Sequence, residues 1–376
     1  MAELNRYRLP GLEQKFSREN RTKAFLVIVQ KYSNKGASFL DESLEEMTEL
    51  AQSALMKVMG VMQFKLNDPS PSHFLREGKL TELRDKAKAV GANILVFNSE
   101  LTASQAGNIQ KFTNVPPMDR TGLILDIFGR RAKSKEGKLQ VELAQLNYAL
   151  PRIGGLGGVL SRLGGGVGTR GPGEQMLQMD KRKIQRRIQQ VKEDLKAVEK
   201  HRDLLREGRK RKNFSSVALV GYTNAGKSTL LNALTGSDSY VEDKLFATLD
   251  PVTRMENING RREVLFIDTV GFLRDLPHSL VESFHATLEE TVHADVLIHV
   301  MDVSNPHAVE FKTAVEKVLK EIGADGKTTL LALNKGDLLS EEEQLRVMTA
   351  WPEGILISAK EKKGMQGLLT KLEAVV

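Results

Sequence analysis

Gly221-Tyr222-Thr223-Asn224-Ala225-Gly226-Lys227-Ser228, followed by Thr229, fits the pattern G-x-x-x-x-G-K-[ST]. In a loop of this kind the backbone N–H groups converge on a phosphate, the lysine reaches the outer phosphoryl oxygens, and the serine hydroxyl is a hard donor suited to Mg²⁺. Three further sets follow in order. Asp268-Thr269-Val270-Gly271 offers a carboxylate beside the metal's water shell and a glycine amide where a γ-phosphate would end. Asn334-Lys335-Gly336-Asp337 offers a second carboxylate, which can accept from both N1–H and the 2-amino group of guanine; adenine has an acceptor at N1 and no 2-amino group, so it is rejected. Ser358-Ala359-Lys360 offers a backbone amide for the guanine O6. Taken singly, each of these three sets reads as an ordinary turn at a strand end. Their order behind a phosphate loop gives them meaning.

That order is the signature of translation-factor-related GTPases, and it directs attention to Phe246-Ala247-Thr248-Leu249-Asp250-Pro251, which lies between the phosphate loop and Asp268. Phe246, Ala247, Thr248, Leu249 and Asp250 are read as part of the nucleotide site. Thr248 is expected to ligate Mg²⁺ together with Ser228 when a γ-phosphate is present, with Thr253 as the fallback. Lys227, Thr248 and Gly271 are expected to carry the chemistry. Phe272 stands where Ras-like enzymes place the glutamine that orients water, and an apolar side chain cannot do that, so intrinsic hydrolysis should be slow and a large partner should accelerate it. Related GTPases with asparagine at the position of Asn224 use it to hold a potassium ion, so K⁺ is a second expected cofactor.

These residues need a scaffold, and the chain is long enough to supply several. Its 376 residues suit two or three domains, with ordinary apolar and charged fractions of 40% and 27%. The absence of cysteine excludes disulfide frameworks, thiolate metal sites and cysteine nucleophiles. No apolar run approaches a membrane span and the N-terminus lacks a secretory apolar stretch, so a cytosolic protein is expected, and a monomer. His278, His285, His293, His299 and His307 lack metal-ligand spacing and are read as structural or surface residues. Apolar runs at Ala24–Val29, Val61–Leu66, Ile94–Phe97 and Gly122–Phe128 alternate with helical patterns, one of them carrying Leu44, Met47, Ala51, Ala54 and Val58. This predicts a small parallel α/β domain over residues 1–130. From 213 to 376, apolar runs at 217–220, 264–267, 296–301, 330–333 and 355–357 predict a mostly parallel sheet, with one antiparallel strand turned at Asn259-Gly260.

Residues 131–212 read as an antiparallel helical hairpin, with seams at Leu139, Leu143, Leu146 and Leu150 and at Ile184, Ile188, Val191, Leu195, Val198 and Leu205. The tip, 154–173, has ten glycines in twenty residues and no acidic residue. It is either a plain connection or a binding tip. Residues 181–212 carry 14 Lys/Arg against five Asp/Glu, enough to follow several phosphates, which makes RNA rather than DNA the expected polyanion. Arg152, Arg162 and Arg170 are its candidate contacts.

The chain resembles the HflX-type GTPases along nearly its whole length. The resemblance is carried by Asp119 to Phe128, Lys135 to Leu146, Leu160 to Gly166, Gly168 to Glu174 and Phe246 to Pro251, together with the GTPase motifs. It implies binding to the large ribosomal subunit and splitting or rescue of stalled ribosomes, with the hairpin tip reaching toward the peptidyl-transferase centre. Gln175 departs from the threonine expected there. The resemblance also leads one to expect, past the helix that follows Ser358 to Lys360, an extra C-terminal domain that some relatives carry and the sequence to Val376 does not include. A ribosome-assembly module with incidental hydrolysis is the alternative.

Overall fold

The structure, a computed structural model, describes residues 22–31, 38–153, 172–211, 214–237, 245–246, 248–258, 262–274 and 285–376. Arg162, Arg170, Ala247, His278, the glycine-rich stretch 154–171 and the Asn259-Gly260 turn lie outside them. Two compact units result: residues 1–130 with 139–195, and residues 131–138 with 196–376. The hairpin, read from the sequence as a region of its own, is thus shared between the two.

In the first unit, β1 (Lys23–Lys31), β2 (Lys57–Leu66), β3 (Ile94–Phe97) and β4 (Pro117–Met118) form a sheet ordered β2-β1-β3-β4 in which every pair is parallel. The central runs are apolar on both faces, as a sheet covered on both sides requires: Ala24 to Val29 and all of β3 are buried. The helices α1 (Ser38–Ser53), α2 (Glu77–Ala89) and α3 (Ala103–Thr113) are the crossovers. Thr102 and Gln105 form a reciprocal capping box that starts α3, and Asn114 in the left-handed region ends it. Val58, placed by periodicity on a helix face, belongs instead to β2, because the chain turns at Leu55 (φ 61°).

Gly122–Phe128 is not a strand. It lies within α4 (Arg120–Arg131), whose residues from Thr121 to Phe128 are all buried. A helix enclosed on every side has no polar face to reveal its period, so its sequence imitates a buried strand. Asp126 within it is the exception that proves costly to bury: burial raises its carboxyl above the ordinary range, against the pull of Arg130.

The hairpin helices are α5 (Lys135–Ala149) and α6 (Pro172–Arg211). Forty residues make α6 about 60 Å long at 1.5 Å per residue. In the first unit Glu142 accepts from Arg187 at 2.6 and 2.9 Å; in the second Glu136 accepts from Arg202 at 2.6 Å. Ile184 and Val191 of the seam are buried.

In the second unit, β5 (Ser215–Val220), β6 (Val252–Ile258), β7 (Arg262–Asp268), β8 (Val296–Asp302), β9 (Thr328–Asn334) and β10 (Ile355–Leu356) form a sheet ordered β10-β9-β8-β5-β7-β6, parallel except where β6 meets β7. Helices α7 (Lys227–Thr235), α8 (His285–His293), α9 (Ala308–Glu321), α10 (Glu341–Ala350) and α11 (Met365–Glu373) complete it. The architecture is α/β, with a mostly parallel sheet in the second unit, as the sequence predicts. Among the described residues, no helix is long and apolar enough to cross a membrane, and no cluster of three or more His, Asp or Glu could share one ion.

His299 on β8 is buried, and burial, reinforced by Lys312, lowers its pKa to about 4. Its unfolded-state pKa is near 6.5, so between those values the unfolded chain takes up a proton that the folded chain refuses. Stability should fall as pH drops from about 6.5 to 4, by up to roughly 3 kcal/mol from this group. His299→Leu should flatten that part of a urea-melt profile against pH; an unchanged slope would assign the acid sensitivity elsewhere.

Candidate functional site: a phosphate loop and base-recognition cleft

The loop between β5 and α7 is shaped by contacts that only glycine permits. A Cβ at Gly221 would overlap the Val300 carbonyl, and one at Gly226, whose φ is +93°, would overlap the Asn334 amide. Asn224 also sits in the left-handed region, at φ 63°, which asparagine tolerates. The loop is zipped to the segment after β7: Thr223 N–H donates to the Phe272 carbonyl at 2.8 Å and Phe272 N–H to the Gly221 carbonyl at 3.1 Å. The side chain of Phe272 is fully buried. It does not line the cleft.

Lys227 opens α7 and is itself buried, donating to the carbonyls of Tyr222 at 2.8 Å and Gly221 at 3.1 Å. Burial pushes its ammonium down to about 8, although Asp268 pulls the other way. Asp268, at the end of β7, is pushed up by burial against the pull of Lys227 and the Ser228 hydroxyl. Low dielectric thus drives both members of the pair toward neutrality.

Two hydroxyl oxygens gather at that carboxylate. Ser228 Oγ donates to Asp268 Oδ2 at 2.6 Å and lies 2.9 Å from Thr248 Oγ1. Asp268 Oδ1 is buried with no hydrogen-bond partner among the described residues. An all-oxygen set with an unsatisfied carboxylate oxygen suits a hard divalent cation such as Mg²⁺. Thr253, the fallback, lies on β6 opposite Ile267 and away from this group.

The Asn334–Asp337 and Ser358–Lys360 turns are joined to the phosphate loop by one side chain. Asn334, 2% exposed, donates from Nδ2 to the Ala225 carbonyl at 2.8 Å and accepts at Oδ1 from Ala359 N–H at 3.0 Å. Lys335 adopts φ 64° and pairs with Asp302 at 2.8 Å. Gly336 N–H donates to the Ile357 carbonyl at 3.0 Å, and Ser358 Oγ accepts from Glu361 N–H at 3.1 Å.

A single cavity of about 440 Å³ is lined by Thr223, Asn224, Gly226, Lys227, Ser228 and Thr229, by Phe246 and Thr248, by Thr269 and Gly271, by Asn334, Lys335 and Asp337, and by Ala359 and Lys360. Tyr222, Ala225, Leu249, Val270 and Ser358 are buried behind its walls; Gly221 and Gly336 shape the turns. Tyr222 stacks on Phe311 with ring centroids 3.9 Å apart. Two contributors escaped the sequence reading. Leu338, 63% exposed, lines the cavity one residue past Asp337, and Asp302 fixes Lys335. The first shows no pattern of its own, and the second is visible only as the acidic end of an apolar strand.

Two expected contacts are corrected. Asp250 turns away from the cavity: its carboxylate accepts from Lys133 and Ser134 N–H, both at 2.8 Å, a partner 116 residues distant that no local spacing announces. Arg152, read as an RNA contact, donates to Asp119 Oδ2 and the Leu101 carbonyl, both at 2.8 Å, and lies 3.5 Å over the Tyr148 ring. Asp119 also accepts from Tyr148 OH at 2.7 Å and Gly122 N–H at 2.8 Å. Arg152 therefore neutralises a buried carboxylate, and its fork is occupied.

Residues 41–129 match a family model described as the GTP-binding GTPase N-terminal region, residues 131–209 the GTP-binding GTPase middle region, and residues 216–335 the 50S ribosome-binding GTPase. The GTPase HflX of Caldanaerobacter subterraneus subsp. tengcongensis is 51% identical over 333 residues, 89% of this chain and 77% of that protein. The GTPase HflX of Escherichia coli (strain K12) is 42% identical over 333 residues, covering 88% and 78%. Among solved structures, the crystal structure of the SsGBP and GDP complex aligns over 94% of this chain and 98% of that one, at 27% identity and a TM-score of 0.53. With relatives this similar over most of both chains, the protein belongs to the HflX family of GTPases.

Proposed function

We propose that this GTPase binds the large ribosomal subunit in its GTP state, splits or rescues stalled ribosomes, and is released when hydrolysis occurs. The observation that carries the reading is the single cavity in which the phosphate loop, Thr248, Gly271, Asp337, Ala359 and Lys360 share one wall system. The loop amides and Lys227 bind the β- and γ-phosphate oxygens, Gly271 N–H meets the γ-phosphate, and Asp337 with a backbone amide of the Ser358-Ala359-Lys360 turn holds guanine. A Cβ at Gly271 would come 2.7 Å from Thr223 Cγ2 and 3.1 Å from Lys227 Nζ, so the amide can approach a ligand only because glycine stands there. Ser228, Thr248 and Asp268 would hold Mg²⁺, which when bound neutralises phosphoryl charge. Lys227 supplies the remaining positive charge at the position where it develops.

Phe272 is fully buried, so its side chain orients no water. Hydrolysis by the protein alone is accordingly slow, and large subunits accelerate it. The basic helix α6 supports an RNA-rich partner, with Arg162 and Arg170 of the hairpin tip as the remaining contacts. Two measurements test this. GTP turnover should rise at least tenfold on adding large subunits, and fast turnover by the isolated protein would overturn partner stimulation. Co-sedimentation with large subunits should be stronger with a non-hydrolysable GTP analogue than with GDP. Equal binding would favour an assembly module in which nucleotide is structural. Asn224, exposed at the cavity rim, is the proposed K⁺ ligand; turnover in potassium should exceed that in sodium, and equal rates would remove potassium from the mechanism.

A further inference from the structure

Helix α5 has its first turn capped from outside the helix. Ser134 precedes it and accepts from Gly137 N–H at 2.8 Å, the geometry of an N-cap. Asp250 then satisfies further donors that a helix start leaves unpaired: its Oδ2 accepts from Lys133 and Ser134 N–H at 2.8 Å each, and its Oδ1 from the Ser134 hydroxyl. A carboxylate here is also favoured by the helix dipole. The fit admits no larger residue, because a Cβ at Gly137 would overlap Asp250 Oδ1.

Two residues before Asp250, Thr248 Oγ1 lies 2.9 Å from Ser228 Oγ. Leu249 between them is buried. A two-residue step spans at most about 7 Å, so Thr248 cannot leave the Ser228–Asp268 group without pulling on Leu249 or Asp250. A second tie meets the same turn of α5. Arg202 of α6 donates to Glu136 at 2.6 Å and also pairs with Glu289 of α8, which follows the Asp268–Gly271 segment. The segment carrying Thr248 and the helix α8 are thereby joined to residues 134–137.

We propose that Asp250 is a positioning residue: by capping α5 it holds Thr248 on the metal side of the cavity, so that seating Thr248 and setting the first turn of the hairpin are one equilibrium. This rests on the reading of Thr248 as the ligand engaged when γ-phosphate is present. It makes the affinity ratio of GTP analogue to GDP the diagnostic quantity, since GDP lacks the group that engages Thr248.

The test is equilibrium binding of GDP and a non-hydrolysable GTP analogue, with Mg²⁺, to the full chain and to T248A, D250A, G137A and the D250A/G137A double variant. D250A and G137A should each lower the analogue-to-GDP affinity ratio about tenfold, a coupling within the usual allosteric range, while GDP affinity stays within twofold. In the D250A background G137A should add nothing, because the overlapping oxygen is gone. A ratio unchanged in D250A and G137A, but lowered in T248A, overturns the positioning role and leaves the Thr248 reading standing. A ratio unchanged in T248A overturns the Thr248 reading, and the proposal with it. Equal loss of both nucleotides together with a lowered melting temperature assigns the cap a purely structural role, and also overturns the proposal. If G137A does not fold, S134A, which removes the hydroxyl that both bonds Asp250 and caps Gly137 N–H, takes its place with the same criterion and a smaller expected shift.

Discussion

Asp337→Asn is expected to lower affinity for GTP by at least about 100-fold and to make xanthosine triphosphate the better ligand. The wild-type carboxylate, on the cavity wall beside Lys335 and Leu338, presents only acceptors, and guanine offers two donors to it. Asparagine keeps one acceptor and places an amide donor opposite the 2-amino group. One hydrogen bond is lost and two donors are left facing each other, at about 1–3 kcal/mol for each unsatisfied group. Xanthine carries a carbonyl at that position and restores the match. Because Asn334, not Asp337, ties the loop to Ala225 and Ala359, the variant should keep its fold and its melting temperature. Competition of GTP and XTP for one labelled nucleotide measures the effect. A variant that still prefers guanine would show that another group reads the base.

The same distinction between local and distant partners explains what could be read from the sequence. The phosphate loop is legible because its chemistry is contiguous: Gly221, Gly226, Lys227 and Ser228 act within one turn, and their spacing is their geometry. The strands β1 and β3 are legible because an all-parallel sheet buries both faces and leaves continuous apolar runs. Helix α4 is not, since residues 121–128 are buried on every side too and, Thr121 and Asp126 apart, read as one apolar run while following a different period. Asp250 and Arg152 mislead through their neighbours. Asp250 stands beside a threonine that lines the cavity, and Arg152 opens a glycine-rich stretch, yet each is committed to a partner far along the chain. For Arg152 that partner is Asp119, 33 residues away; for Asp250 it is the start of α5. Charge at a site is a local property, whereas its neutralisation is a property of the fold.

Lys227 shows what function costs the fold at this site, and its replacement should separate the two. Lys227→Met keeps the length of the side chain and removes the ammonium. Turnover of GTP should fall by about 10³-fold, the scale for deleting one preorganised group that meets developing charge. The nucleotide-free protein should melt at the same temperature as the parent or above it. Burial drives the Lys227 ammonium down to about 8, so at neutral pH the fold carries a charge that its surroundings disfavour. Nor does removal strand the carbonyls: that of Gly221 keeps Phe272 N–H at 3.1 Å and that of Tyr222 keeps Ala225 N–H at 3.3 Å, while Asp268 loses the pull of Lys227 but keeps the Ser228 hydroxyl at 2.6 Å, and burial, which already raises its pKa, favours its protonated form. Active-site charge held at the expense of stability is the expected trade-off in an enzyme. Calorimetric melting and turnover on one preparation read both quantities. A melting temperature lowered by several degrees would instead make Lys227 a structural tie between the phosphate loop and Asp268, with its loss of activity secondary to that.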